Sequence, residues 1–204
     1  MKINFKQAKF YTTVNDLKSL PRVNKEIAIV GRSNAGKSSL LNTLTNQNKL
    51  AFTSKTPGRT QHINYFQIVQ DESYLVDLPG YGYAKVPEEI RMHWVGLLGD
   101  YLRYRKEIVG LVLIMDSRHP LKDLDVHMID FFSQTGKPLH IVLSKADKLT
   151  KQEKMRTMRD VKSAILQYGF TDLSLQMFSS PKREGIEELE LQLGKWLVPS
   201  LDEE

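Results

Sequence analysis

The sequence predicts a three-layer α/β domain: a six-stranded, mostly parallel sheet with one antiparallel strand and helices on both faces. Three observations carry that expectation. Short apolar runs alternate along the chain with longer segments whose apolar residues recur at helical spacing, the pattern of repeated βαβ units. Most of the short runs are apolar throughout, as parallel strands covered on both faces must be. The chain also has the material for one ordinary core, with 204 residues of which 41% are hydrophobic.

Taken in order, strands are expected at 26–30, 63–69, 74–77, 109–116, 139–144 and 174–179, the second of them antiparallel. Ile90, Trp94, Leu97, Leu98, Tyr101 and Leu102 form one helical stripe, and Leu121, Leu124, Met128, Phe131 and Phe132 form a second. Met155, Met158, Val161 and Ile165 form a third, and Ile186, Leu189, Leu193 and Trp196 a last one, with Pro199 as its stop. These Met and aromatic residues are read as core packing. Residues 51–61 lack periodicity and are rich in Thr, Ser, Pro and Gly, so they read as a mobile loop. The expected layout is an extension at 1–23 that packs on or flanks the domain, the domain itself at 24–198, and a frayed tail at 199–204.

Composition removes several classes of function. With no cysteine, thiol catalysis, disulfides and Cys-based zinc sites are excluded. The five histidines, His62, His93, His119, His127 and His140, show no HExxH spacing and read as surface or structural residues. No stretch approaches the roughly 18 apolar residues of a membrane span, and the N-terminus lacks a signal-peptide core, so a cytoplasmic protein is expected. The formal net charge of +5 suggests a polyanionic partner.

The chemistry concentrates where strands are expected to end. Gly31, Arg32, Ser33, Asn34, Ala35, Gly36, Lys37 and Ser38 fit GxxxxGKS and are followed by the helix-compatible Ser39, Leu40 and Leu41. Glycines let the backbone approach a phosphate, successive N–H groups point at it, Lys37 adds a cation, and Ser38 offers a hydroxyl to Mg²⁺. Such a loop alone does not choose between ATP and GTP, or between hydrolysis and transfer. Asp77 and Gly80, in a DxxG, supply a carboxylate for a metal-bound water and an N–H for the γ-phosphate. In Ser144-Lys145-Ala146-Asp147 a carboxylate can accept from both guanine N1–H and the 2-amino group, while the Lys145 stem covers the base. Phe178, Ser179 and Ser180 end the last strand, where backbone N–H groups can reach guanine O6. Each motif is weak alone. All of them lie at carboxyl ends of strands, where open α/β sheets bind ligands, and together they resemble the GTPases.

The series GRSNAGKSSLLN, SKTPGRTQHINYF, DLPGYGYA, SKAD and FSS narrows the resemblance to the EngB family of bacterial GTPases, also called YihA or YsxC, over residues 24–196. The resemblance implies a P-loop NTPase of the Ras-like kind, a G domain that binds GTP or GDP with Mg²⁺ and acts in assembly of the large ribosomal subunit, with a link to cell growth, division and septation. It implies that Lys37, Thr60 and Gly80 serve catalysis and that Ser38, Thr60 and Asp77 hold Mg²⁺, with Thr56 as the alternative to Thr60. Pro57, Gly58 and Arg59 either shape the turn around the nucleotide or touch a partner. Tyr81 stands where many GTPases place a water-orienting Gln, which implies slow intrinsic hydrolysis. Ser144 replaces a usual Asn and removes an amide that braces the loop. Asn34 either helps hold K⁺, as in related GTPases, or is satisfied by backbone.

Basic residues at Arg103, Arg105 and Lys106, and at Lys151, Lys154, Arg156, Arg159 and Lys162, are candidates for contact with ribosomal RNA or for ordinary solvated faces. The expected protein is a monomer. Two other classes stay open at this level: a GTPase serving a tRNA-modification or membrane complex, and a P-loop kinase acting on a small metabolite.

Overall fold

In a computed structural model, residues 3–51, 62–82 and 88–198 are described, with backbone alone for 88–95. The strands are β1 (Lys9–Val14), β2 (Lys25–Gly31), β3 (Ile63–Val69), β4 (Ser73–Asp77), β5 (Ile108–Asp116), β6 (Leu139–Ser144) and β7 (Leu173–Met177). The helices are α1 (Lys37–Leu44), α2 (Glu88–Tyr104), α3 (Asp123–Ser133), α4 (Lys151–Ile165) and α5 (Ile186–Leu197). The sheet runs in the order β1-β3-β4-β2-β5-β6-β7. Strand β3 is antiparallel to both neighbours, and every other pairing is parallel.

Side chains alternate across the sheet as strand geometry requires. On β5, Leu111, Leu113 and Met115 face a core completed by Leu98, Tyr101 and Leu102 of α2, Ile129 and Phe132 of α3, and Val161 and Ile165 of α4. Val112 and Ile114 face the opposite core, closed by Leu40, Leu41 and Leu44 of α1 and Leu189, Leu193 and Leu197 of α5. Central strands are therefore buried on both sides, and truncating one such Leu or Ile to Ala would cost about 2–5 kcal/mol. Helix starts are specified locally. Thr150 and Glu153 form a reciprocal cap on α4, with Glu153 N–H donating to Thr150 Oγ1 at 3.3 Å and Thr150 N–H to Glu153 Oε2 at 2.7 Å.

The expected count of six strands is corrected to seven among the described residues. The stretch expected to pack on or flank the domain supplies the edge strand β1, which pairs with β3 alone. Its sequence, KFYTTV, is rich in aromatic and β-branched residues that favour strands. Most of its side chains are exposed, so the unbroken apolar run that marks the central strands is missing.

Candidate functional site

The parallel strands β2, β4, β5, β6 and β7 point their carboxyl ends the same way, so the loops after them converge on one rim. Strand β2 is forced close to β5 at its last residue. A Cβ on Gly31 would lie 2.7 Å from the Ile114 carbonyl oxygen, so only glycine fits there. The loop that follows carries Asn34 in the left-handed region (φ 62°) and Gly36 at φ 102°, and α1 begins at Lys37. Asn tolerates that conformation better than most side chains. The loop thereby presents its backbone to the head of an eight-residue helix, a favourable arrangement for an anion.

A cleft of about 1340 Å³ opens over this loop, lined by Arg32, Ser33, Asn34, Gly36, Lys37, Ser38 and Ser39 together with Asp77, Gly80 and Lys145. Inside it Lys37 Nζ is paired with the Asp77 carboxylate. Both side chains are largely buried, and a cation beside a carboxylate offers one group to a phosphate and the other to a metal. Among the described residues no cluster of three or more His, Asp or Glu could hold a metal by itself. Ser38 and Asp77, which both line the cleft, offer the hard oxygen atoms that Mg²⁺ prefers, and that ion commonly uses one or two protein oxygens with phosphate oxygens and water.

The loop after β4 is stitched to the loop after β2. Tyr81 N–H donates to Gly31 O at 3.2 Å and Ser33 N–H donates to Tyr81 O at 2.7 Å, which places Gly80 at the cleft wall. The Tyr81 side chain turns towards α3, packing beside that core, and its hydroxyl donates to Asp125 Oδ1 at 2.8 Å. Burial and then the Asp125 charge push the phenol far above its ordinary range, so it stays protonated. Burial likewise raises the Asp125 carboxyl, against the hydrogen bonds from Tyr81 and the Lys122 N–H. Tyr81 is thus a tether between this loop and α3.

The loops after β6 and β7 form the second half of the rim. Ser144 Oγ lies against the Ala35 carbonyl oxygen and the Met115 carbonyl oxygen, the latter at 3.1 Å, and its single hydrogen serves one of them at a time. The brace expected to vanish with the missing amide is therefore made by a hydroxyl. Lys145, itself at φ 57°, donates from Nζ to Asn34 O at 2.8 Å and pairs with Asp116 at 3.0 Å. Asp147 accepts from Ser179 Oγ at 2.7 Å, and that bond lowers its carboxyl below the ordinary value. Ala146 N–H donates to Phe178 O at 3.0 Å, locking the two loops together. The Phe178 side chain lies in the core against α1 and α5, so it can serve the rim through its backbone alone. Ser180 follows at the partly exposed start of the next loop.

The structure thus brings Gly31 to Ser39, Asp77, Gly80, Ser144, Lys145, Asp147, Phe178, Ser179 and Ser180 to one rim. Thr56, Pro57, Gly58, Arg59 and Thr60 lie outside the described residues. Sequence reasoning missed Asp116, which holds Lys145 and takes a two-pronged contact from Arg118 at 3.0 and 2.8 Å. Burial works against its ionisation, and the bonds from Arg118 and Lys145 outweigh burial, so the carboxyl is held well below the carboxylate range. Its only signal in the sequence was its place at the end of a strand. His62, read from the sequence as a surface or structural residue, also lines the cleft. Among the described residues its Nδ1 is buried without a hydrogen-bond partner.

Comparisons with known proteins agree with this geometry. Residues 26–145 match the family model described as 50S ribosome-binding GTPase. A protein of Neisseria gonorrhoeae named probable GTP-binding protein EngB is 61% identical over 193 residues, which covers 94% of this chain and 92% of that one. A relative of the same name from Laribacter hongkongensis is 55% identical over 195 residues, with 95% and 87% covered. Among solved structures, a probable GTP-binding protein engB superposes with a TM-score of 0.66 at 22% identity, over 84% of this chain and 98% of that one. Era of Aquifex aeolicus bound to GDP·AlF4⁻ gives 0.67 at 22% identity, over 86% and 57%. At that identity the two structures speak for the fold, which is that of the P-loop G domains.

Proposed function

The chain belongs to the EngB family of GTP-binding proteins, and we propose that it hydrolyses GTP as a switch in assembly of the large ribosomal subunit. One observation carries the nucleotide half of this reading: Lys145 reaches from the loop after β6 to the Asn34 carbonyl of the phosphate loop. That contact sets the base-reading carboxylate of Asp147 and the phosphate-reading Lys37 on one rigid rim, as a single nucleotide requires.

In this reading Lys37 and the backbone N–H groups of residues 32–38 hold the phosphates, and the triphosphate competes with Asp77 for Lys37. Ser38, Asp77 and Thr60 hold Mg²⁺, which supplies positive charge to the phosphate oxygens. Gly80 N–H meets the γ-phosphate. Asp147 accepts from guanine N1–H and the 2-amino group, Ser179 holds that carboxylate in place, the Lys145 stem covers the base, and the loop at Phe178, Ser179 and Ser180 meets guanine O6. Water attacks the γ-phosphate in line. Asp77 would be engaged at Mg²⁺, and Tyr81 is tethered to Asp125, so no side chain at either place takes the proton. Charge and positioning then carry the reaction, which suits a loose transition state and a slow intrinsic rate. Asn34 sits exposed at the rim and gives K⁺ a side-chain oxygen. Faster hydrolysis in K⁺ than in Na⁺ would support that role, and equal rates would assign Asn34 to loop geometry alone.

Sucrose-gradient cosedimentation with separated ribosomal subunits tests the switch. Salt-sensitive binding to the large subunit with a non-hydrolysable GTP analogue, absent with GDP and absent for Lys37→Ala, is the expected result. Binding that ignores the nucleotide would refute the switch.

A further inference from the structure

Positive charge is unevenly placed along the chain. Residues 1–23 contain Lys2, Lys6, Lys9, Lys18 and Arg22 against the single acid Asp16, so four of the five net positive charges lie there. The tract on α4, which looks more basic at first sight, is partly neutralised: Lys154 pairs with Glu184 at 2.7 Å and Arg159 with Asp160 at 3.0 Å. The N-terminal segment is therefore a basic region able to attract a polyanion, alongside the α4 tract, where Lys151, Arg156 and Lys162 also carry charge.

That segment forms the open edge of the sheet. Lysines on an edge strand commonly guard against strand-to-strand aggregation, and this would be the plain reading of Lys9. The aromatic residues beside it work against a purely protective role. Phe10 is 58% exposed and Tyr11 45% exposed, where a guarded edge would carry charge or proline. Phe10 stands edge-on to Phe66, with ring centroids 6.2 Å apart, and lines the cleft together with Asn48 and Lys49. Gln47 ties these pieces together, donating to Ala8 O at 2.7 Å and thereby fixing the start of β1 to the loop that carries Asn48 and Lys49. Tyr11 packs against Tyr74, whose side chain belongs to the core on the other face of the sheet.

We propose that this edge is an RNA-binding surface, on which an unpaired base stacks on Phe10 while Lys6 and Lys49 meet the flanking phosphates. An exposed aromatic ring set among lysines is the chemistry of single-stranded RNA recognition. A protein strand adding to the same edge would need its backbone groups and neither the ring nor the charges. The biological source of the RNA, an immature large subunit, rests on the reading above. The binding itself does not.

The test is fluorescence anisotropy of a labelled single-stranded RNA of about 12 nucleotides and mixed sequence, titrated with full-length GDP-bound protein across a KCl series. Binding is expected to weaken with salt. Phe10→Ala should weaken it by about tenfold, while Phe10→Trp retains it. Lys6→Gln with Lys49→Gln should weaken it and flatten the log–log salt slope by about 1.4. Tyr11→Ala, on the opposite face, should change it little. Far-UV circular dichroism should be the same for every variant, which establishes that each is folded by a readout independent of the nucleotide reading. RNA affinity unchanged by Phe10→Ala, an unchanged salt slope in the lysine variant, or no RNA binding by the parent chain would each overturn the proposal. Loss of large-subunit binding in Phe10→Ala without any RNA affinity in the parent would also overturn it, and would point to a ribosomal protein at this edge.

Discussion

Two buried carboxylates paired with cations sit at opposite ends of the same sheet, and they behave differently. At the amino end of β2, Glu26 is completely enclosed and accepts from Tyr101 at 2.5 Å, Tyr65 at 3.1 Å and Arg105 at 2.6 Å. Arg105 also donates to Pro21 O at 2.7 Å, so the network joins β2, β3, α2 and the N-terminal segment. At the carboxyl end of β4, Asp77 has Lys37, and the pair faces a cleft of about 1340 Å³. The first pair is saturated by the protein's own donors and belongs to stability. The second faces open space that a phosphate and a metal can share, and it belongs to ligand binding. The lesson is that a buried ion pair indicates function when its surroundings leave room for a third partner.

The sharpest way to break this contrast lies at the open end. Asp147→Asn removes the acceptor for two guanine donors and should weaken GTP by about a hundredfold or more while improving xanthosine triphosphate, as measured by competition binding. Retained GTP affinity would remove Asp147 from base recognition. At the closed end, Glu26→Gln leaves Arg105 with only the partly exposed Glu107, 3.1 Å away, as its carboxylate partner and should cost about 2 kcal/mol in denaturant unfolding. Nucleotide affinity of the folded fraction should not change, and a large change would mean that the two ends are not separable.

His140 sharpens the contrast by pH. It lies on β6 among closed contacts, where Nε2–H donates to Gln176 Oε1 at 2.9 Å and Nδ1 accepts from Ser174 Oγ at 2.7 Å. Burial lowers its pKa from 6.5 to about 4, so the folded state resists a proton that the unfolded chain takes up. Stability from this group is complete above pH 6.5 and is lost as pH falls towards about 4, by as much as about 3 kcal/mol. His140→Gln should flatten the slope of unfolding free energy between those pH values, and an unchanged slope would contradict the assignment. The smallest expected effect belongs to Ser144→Ala, which removes one hydroxyl brace between the phosphate loop and β5. About 1 kcal/mol of stability and roughly a fivefold loss of GTP affinity should follow, read by melting and titration.

Much of the open end was legible in the sequence, because glycine spacing, a Lys–Ser pair and carboxylates at strand ends are local patterns. The central strands were legible for the same reason, since burial on both faces leaves unbroken apolar runs such as Ile141 to Leu143. The closed end was not. Glu26, Tyr65 and Tyr101 come from three separate elements and Arg105 follows the end of α2, and nothing in one-dimensional spacing places them together. Strand β1 escaped because an edge strand with exposed faces lacks the apolar signature. Asp116 and the Tyr81–Asp125 tether were hidden in the same way, since each acts across loops that only the fold brings into contact. The Ser144 brace was misjudged because a hydroxyl this close to the Ala35 carbonyl does the work expected of a longer amide.

The central claim is that the carboxyl-end pair awaits a guanine nucleotide while the amino-end pair is complete. Thermal melting of the parent chain, Lys37→Ala and Glu26→Gln, each with Mg²⁺ and either GTP, ATP or no nucleotide, tests it most directly. The account predicts that GTP raises the melting temperature of the parent chain and of Glu26→Gln by similar amounts, that ATP does not, and that Lys37→Ala shows no response to either. A response to ATP equal to that to GTP, or a GTP response that survives Lys37→Ala, would contradict it.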